Sequence, residues 1–319
     1  LRKIIIGFKR RKPDTAIVMH ACIRKFVSDA AGRIRAAPSR RSGLRTTTSE
    51  LVDVAGARSA GDVTPMVTVD RVPHSSLHVS KPTWWLESRF HFSFADYWDP
   101  ARENFGVLRV LNDDLVKAGA GFGAHPHRDA EIFSYVVTGQ LSHADSMGNK
   151  EALPRGCVQY MSAGTGVVHS EMNEGSETCR FLQLWIKPDR RAHKPQYGSS
   201  VYDKADRHNR LLQILGGTGE APAWPNTAKL HSIRLHQDAN VFVSESDALT
   251  RFELSLGPNR QAYIICIEGD LQVDDVQLDT RDGARITGSS DSGSSPLVLT
   301  AGPSGAHFLI VEMEKAASR

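Results

Sequence analysis

The sequence predicts an all-β protein, a sandwich or barrel plan that occurs twice along the chain. Three observations carry this reading. Apolar or alternating runs of strand length recur from about Pro65 to Met313. Gly, Asn-Asp or Pro interrupts these runs, which is the turn chemistry of sandwiches and barrels. The strand–glycine–strand unit at Thr138-Gly139-Gln140 also reappears at Glu268-Gly269-Asp270, which points to two related barrels. A length of 319 residues suits two domains. The balance of 40% hydrophobic and 24% charged residues excludes a wholly disordered or collagen-like chain.

In the first half, the runs Phe90–Phe94, Gly106–Leu111, Ile132–Val137, Val158–Met161, Val167–Glu171 and Phe181–Ile186 read as strands. Ile132–Val137 and Leu141–Ala144, joined through Gly139, read as a hairpin in which glycine supplies the positive φ. Gly121, Gly123, Gly164 and Gly166 stand where the backbone has to bend tightly beside something else. Residues 66–190 are therefore assigned to a first barrel. The polar stretch 191–228, with Pro195-Gln196-Tyr197, reads as a linker packed across the surface. Residues 229–316 form the second β-rich unit, with strands at Ile233–His236, Asn240–Ser244, Ala248–Leu256, Gln261–Glu268 and Phe308–Met313. Within it, Gly288–Ser295 is a Ser/Gly-rich loop.

The net charge of +3 hides a split. Residues 1–48 hold thirteen Lys/Arg against Asp14 and Asp29, or +11, so the remaining residues sum to −8. The basic, acid-poor residues 1–65 show no sustained apolar period and are expected to form a disordered extension. From Met19 to Glu50 the composition resembles an organelle transit peptide. Lys9-Arg10-Arg11-Lys12 matches a nuclear import signal, a pattern with many chance matches. The chain begins at Leu1, so the residues before Met19 need not belong to the natural product. Four widely spaced cysteines without a CxxC pair argue against a disulfide scaffold or a Cys-based zinc site. The longest apolar runs fall far below the ~20 residues that span a bilayer.

The chemistry concentrates in His125-Pro126-His127 and His169-Ser170-Glu171. Residues i and i+2 of a strand share a face, so each triplet projects two donors together. Two such strands facing each other supply three imidazoles and a carboxylate, a set suited to Fe(2+), Mn, Co, Ni, Cu or Zn. Such a set leaves open positions, as a catalytic site does. HxH alone decides little in a chain with 13 histidines. The matching HxE, with Gly-rich turns before both triplets, raises the metal reading well above surface histidine. Glu131 competes. If the strand runs regularly from His127, Glu131 shares the parity of both histidines and is a ligand or a supporting base. His143-Ala144-Asp145 has the same local form but follows the hairpin with nothing to pair with it, and reads as structural.

Five motifs, met in order, resemble those of the pirin family of bicupins over about residues 70–315. They are Arg89-Phe90-His91-Phe92-Ser93-Phe94-Ala95-Asp96-Tyr97, Leu108-Arg109-Val110-Leu111-Asn112-Asp113-Asp114, and Gly121-Phe122-Gly123-Ala124-His125-Pro126-His127-Arg128-Asp129. His143-Ala144-Asp145-Ser146-Met147-Gly148-Asn149 follows, and then Met161-Ser162-Ala163-Gly164-Thr165-Gly166-Val167-Val168-His169-Ser170-Glu171. The resemblance implies two antiparallel β-barrels of the cupin (jelly-roll) type packed face to face, with one divalent metal, usually iron, in the N-terminal barrel. By position its ligands fall on His125, His127, His169 and Glu171. Many other cupins carry the carboxylate at the place of Glu131, which the pirin pattern moves behind the ligands. The second barrel is expected to be metal-free, and His231, His236 and His307 there to be structural or solvated.

The resemblance further implies quercetin 2,3-dioxygenase chemistry, in which O2 opens the central ring of a flavonol and carbon monoxide leaves. Glu171 would serve as the catalytic base, with Phe133, Met161 and Trp185 as candidate pocket walls. The competing class is a redox-sensing co-regulator or signalling partner, which needs the same four ligands and binds proteins. The expected partners of the enzyme are a flavonol-like enol and O2. A −8 body argues against direct nucleic-acid binding. The remaining expectations are a monomer off the membrane, cytoplasmic or nuclear, or in a mitochondrion or plastid if the basic segment is a transit peptide.

Overall fold

The computed structural model describes residues 67–229, 232–288 and 294–315. The expected N-terminal extension over 1–65 and His231 lie outside these residues. The first strands are β1 (Val67–Val72), β2 (His78–Thr83), β3 (Leu86–Phe90), β4 (Leu108–Val116), β5 (Ala120–His127) and β6 (Glu131–Thr138). Next come β7 (Gln140–Asp145), β8 (Lys150–Pro154), β9 (Val158–Ser162), β10 (Val167–Asn173), β11 (Cys179–Ile186) and β12 (Gln196–Ser200). After a single helical turn, α1 (Lys204–Arg207), follow β13 (Leu211–Gly216), β14 (Thr227–Ala228), β15 (Ile233–Arg234), β16 (Ala239–Ser246) and β17 (Arg251–Leu256). The chain continues as β18 (Arg260–Val273), β19 (Val276–Leu278), β20 (Gly283–Gly288) and β21 (Ser295–Glu314). Among these residues no helix is long and apolar enough to cross a membrane.

Two sheets build the first barrel: a seven-stranded sheet in the order β12-β9-β6-β11-β4-β3-β2 and a four-stranded sheet in the order β5-β10-β7-β8. A ten-stranded sheet builds the second. Its long strand β21 pairs with β17 over Ser295–Thr300 and with β16 over Ala306–Met313, so the sheet folds over on itself.

The seven-stranded sheet lies between two apolar layers, which explains why Ile132–Val137 and Phe181–Ile186 are continuous rather than alternating runs. On one face Phe133, Tyr135, Leu182 and Leu184 pack with Leu212, Val241, Ile265 and Leu309 of the second barrel. On the other, Ile132, Val136, Phe181 and Trp185 face the interior of the first barrel. A second core, including Phe242, Ile264, Phe308 and Ile310, fills the second barrel. The expected pair of barrels packed face to face is the observed architecture, with the contact made by the outward row of the seven-stranded sheet.

Three local expectations need correction. The unit around Gly139 is no hairpin: β6 belongs to the seven-stranded sheet and β7 to the four-stranded one, and Gly139 (φ +74°) turns the corner between them. Gly269 has the same φ, +74°, but bends the continuous strand β18 instead of ending it. The stretch 191–228 is more than a linker. It gives β12 to the edge of the first barrel, and β13 pairs with β16 with Leu211, Leu212, Ile214 and Leu215 fully buried. Its polar composition hides that short apolar run. Conversely β1, assigned to the first barrel, pairs with β20 of the second.

Polar bridges tie the barrels where the apolar layer ends. Tyr135 Oη and His307 Nε2 lie 2.9 Å apart, and Arg155 donates to Glu268 at 2.6 Å. His91 Nδ1 meets Tyr263 Oη at 2.8 Å. A Cβ on Gly283 would come within 2.6 Å of that hydroxyl and 3.1 Å of His91 Nδ1. Gly283→Ala is therefore expected to lose about 1–3 kcal/mol of stability to overpacking, read from denaturant unfolding. Burial pushes His91 down to about 3. The unfolded chain takes up a proton near the ordinary histidine value and the folded one does not, so His91 favours folding fully above pH about 6.5 and costs stability as the pH falls from there. Between pH 6 and 4, wild type should lose about 1.4 kcal/mol per pH unit more than His91→Gln. Equal slopes would contradict this.

Candidate metal centre

The antiparallel pairing of β5 with β10 positions the site. His169 sits directly opposite His125, and Val167 opposite His127. His125 and His127 point to one face of β5 while Pro126 between them is exposed. The ring centroids lie 4.4 Å apart for His125 and His169, 4.8 Å for His125 and His127, and 4.9 Å for His127 and His169. One nitrogen from each ring falls within 4.8 Å of the others. Between His169 and Glu171 the register slips, so that Gly123 and Ala124 bulge out of β5. There Gly123 O accepts from His125 Nδ1 at 2.7 Å. A carbonyl only accepts, so His125 Nδ1 carries the proton and Nε2 keeps its lone pair for a metal.

Burial keeps these rings neutral. It pushes His127 down to about 3, assisted by repulsion from His125, and His169 well below the ordinary value. His125 is lowered as well, burial outweighing the Gly123 hydrogen bond. Neutral imidazole is the form that binds a metal ion. Both ring nitrogens of His169 are buried with no hydrogen-bond partner among the described residues. Orphaned buried polar atoms are costly, and coordination would satisfy one of them. The donor set therefore fits a divalent ion.

Glu171 shares the inward face of β10 with His169 but stands outside the group of three nitrogens. Its carboxylate is held by the opposite sheet: Ser134 Oγ donates to Oε1 at 2.7 Å and Gln183 Nε2 to Oε2 at 2.6 Å. Trp185 Nε1 donates to Gln183 Oε1 at 3.3 Å, which fixes which end of the amide faces Glu171. Burial raises the Glu171 pKa, while those hydrogen bonds and His143 restrain the rise. Asp114, also in this interior, is pushed up to about 8 by burial.

His143 belongs to these surroundings, although its triplet reads as unpaired in the sequence. It sits directly across from Glu171, with its ring 5.4 Å from that of His169 and stacked on Tyr197 at 4.6 Å. Burial pushes the Asp145 carboxyl up, but hydrogen bonds from His143 and Asn149 outweigh it and keep it ionised. His143 Nε2 accordingly donates to Asp145 Oδ2 at 2.9 Å.

Glu131 is misplaced by the parity argument. β5 ends at His127 and β6 begins at Glu131, with Asp129 at φ +51° between them, so the alternation does not carry across. Glu131 points toward the second barrel, where Ser162 Oγ donates to it at 2.7 Å, His236 N at 3.1 Å, and Tyr160 also donates. His236 thus joins the barrels and stacks on His193 at 4.0 Å. Phe133 shares that outward face and walls no pocket at the metal centre. Met161 and Trp185 do line the metal side, together with Phe94 and Val167, and Trp185 meets His127 edge-on at 4.8 Å. Ser134 and Gln183 were legible as polar residues inside otherwise apolar runs.

Two substitutions separate these roles. Gln183→Leu leaves a buried Glu171 oxygen without its donor and is expected to cost about 1–3 kcal/mol in unfolding of the metal-free protein. Glu131→Gln is expected to lower stability while metal stoichiometry, measured by elemental analysis, stays at the wild-type value. Loss of metal from Glu131→Gln would overturn its placement.

Comparison with known proteins places the chain in a family. Residues 59–186 match the family model described as Pirin, and residues 225–313 the model described as Quercetinase C-terminal cupin domain. A pirin-like protein of Caulobacter vibrioides is 38% identical over 219 residues, covering 68% of this chain and 90% of its own. The quercetin 2,3-dioxygenase of Escherichia coli K12 is 39% identical over 206 residues, covering 63% of this chain and 83% of its own. The crystal structure of bacterial pirin YhhW from Escherichia coli in complex with nickel(II) superposes with a TM-score of 0.68 at 30% identity, covering 78% of this chain and 100% of that one. The chain belongs to the pirin family of two-barrel cupins.

Proposed function

We propose that the protein is a metal-dependent oxygenase that uses O2 to open the ring of a flavonol-like enol, with one ring carbon leaving as carbon monoxide. The observation that carries this reading is the convergence of three neutral imidazoles, His125 and His169 buried and His127 half-buried, with a carboxylate of raised pKa across the same barrel interior. Relatives named quercetin 2,3-dioxygenase and a nickel-bound pirin structure support it. His125, His127 and His169 would hold a divalent ion, Fe(2+) first and Ni(2+) as the alternative, with Glu171 as fourth donor. Bound there, the ion supplies Lewis acidity that lowers the pKa of an enol hydroxyl placed beside it.

The chain's own residues do the rest. Glu171 accepts the hydroxyl proton: each of its oxygens has a second lone pair beyond the bond from Ser134 or Gln183. Its raised pKa brings it closer to the range in which a carboxylate serves as general base. The Trp185–Gln183–Glu171 chain aims that carboxylate and links it to the aromatic wall. Trp185 and Phe94, 5.4 Å apart and edge-on, offer apolar surface beside His127 for a planar ring and keep water from it.

The test is metal analysis followed by O2 uptake and CO release with quercetin. Wild type should bind one ion per chain and turn over. His127→Ala should lose both, and Glu171→Gln should lower kcat by about 10²–10⁴, the usual worth of a general base. Metal-loaded wild type that consumes no O2 with any flavonol would defeat the enzyme reading and favour a binding role.

A further inference from the structure

On the far face of the seven-stranded sheet from the metal centre, an open cleft of ≈ 780 Å³ separates the barrels. Arg89 and Arg180 line it from the first barrel and Arg281 from the second, with Gln277 and Thr280 beside them. Their carboxylate partners are outnumbered. Asp113, fully buried, accepts from Arg180 Nε at 2.8 Å and Nη2 at 2.9 Å, and also faces Arg281 Nε at 3.0 Å. Glu87 is shared by Lys81 at 2.7 Å and Arg89 at 2.6 Å. Four cations thus rest on two carboxylates. Arg89 Nη1 is buried with no acceptor among the described residues. Arg281 sits at φ +75°, a left-handed conformation that an arginine adopts only when its surroundings hold it there, and its N–H donates to Cys266 O at 2.6 Å.

We propose that this cleft binds a small oxyanion, a carboxylate or a phosphate group, through the guanidinium groups of Arg89, Arg180 and Arg281. Guanidinium suits both chemistries because its planar fork donates in pairs to two oxygens. Burial first, then repulsion from Arg180 and Arg89, outweigh the pull of Asp113 and Glu87 and hold Arg281 below its ordinary value. Two acids at the cleft define its limits. Asp279 shares Arg71, 2.7 Å away, with the buried Asp282, and Asp270 lies in the lining. Their charge favours a ligand with a single anionic group over a polyphosphate or nucleic-acid backbone. Because Arg180 also donates to Ile267 O at 3.0 Å, a ligand here would touch both barrels and brace their contact.

Isothermal titration calorimetry of the full, metal-loaded chain at low ionic strength, with inorganic phosphate and acetate as separate arms, tests the site. Saturable one-to-one binding in either arm is expected, and the arm that binds identifies the group recognised. Arg281→Gly suits the left-handed backbone and removes the whole side chain, its guanidinium and the ion pair with Asp113 included. It should weaken binding about 10- to 100-fold, the worth of a charge-assisted contact, and Arg89→Gln should weaken it in the same direction. His127→Ala should bind as wild type does, since the anion does not sit on the metal. No saturable binding up to about 10 mM, unchanged affinity in Arg281→Gly, or loss of binding in His127→Ala would each overturn the proposal.

Discussion

The central strands β9, β6 and β11 of the seven-stranded sheet are buried on both faces, and the rest of the molecule is arranged around that constraint. Its outward row, with Phe133, Tyr135, Leu182 and Leu184, packs on the second barrel, and its inward row closes the first. A polar side chain buried there is costly without a partner, because water does not reach it. Ser134 and Gln183 on the inward row find theirs in Glu171, and Glu131 on the outward row finds its own in Tyr160, Ser162 and His236. The same alternation that separates the two cores therefore separates a carboxylate beside the metal site from one that ties the barrels together.

The energetics of the metal centre follow from that burial. Three imidazoles crowded at centroid spacings of 4.4–4.9 Å repel one another when charged, and the dry interior penalises their cations further. Both effects hold them in the metal-binding form. The cost is borne by the ring nitrogens of His169, which have no hydrogen-bond partner among the described residues. The β5–β10 pairing tolerates that cost because the strands themselves are fixed by their ladder, with the bulge at Gly123 and Ala124 adjusting how His125 is aimed.

Much of this was legible in the sequence because strand periodicity is local. Two triplets with donors at i and i+2 declare their shared faces without knowledge of the fold. Parity fails wherever the chain turns. It did not survive Asp129, which is why Glu131 was misassigned, and Gly139 turned out to be a corner between sheets, which neighbouring residues alone do not distinguish from a hairpin. The Leu211–Leu215 run was masked by the polar stretch around it. Contacts between barrels, such as Asp113 with Arg180 and Arg281, join residues far apart in the chain and leave no local signature.

The central claim is that His125, His127, His169 and Glu171 hold one divalent ion inside the first barrel. X-ray absorption spectroscopy of the protein loaded with iron(II) or nickel(II) examines it most directly. The account predicts one ion per chain, with three imidazole nitrogens and a carboxylate oxygen in its first coordination sphere and one imidazole lost in His169→Ala. An ion bound by fewer than three imidazoles, or a spectrum unchanged by His169→Ala, would contradict it.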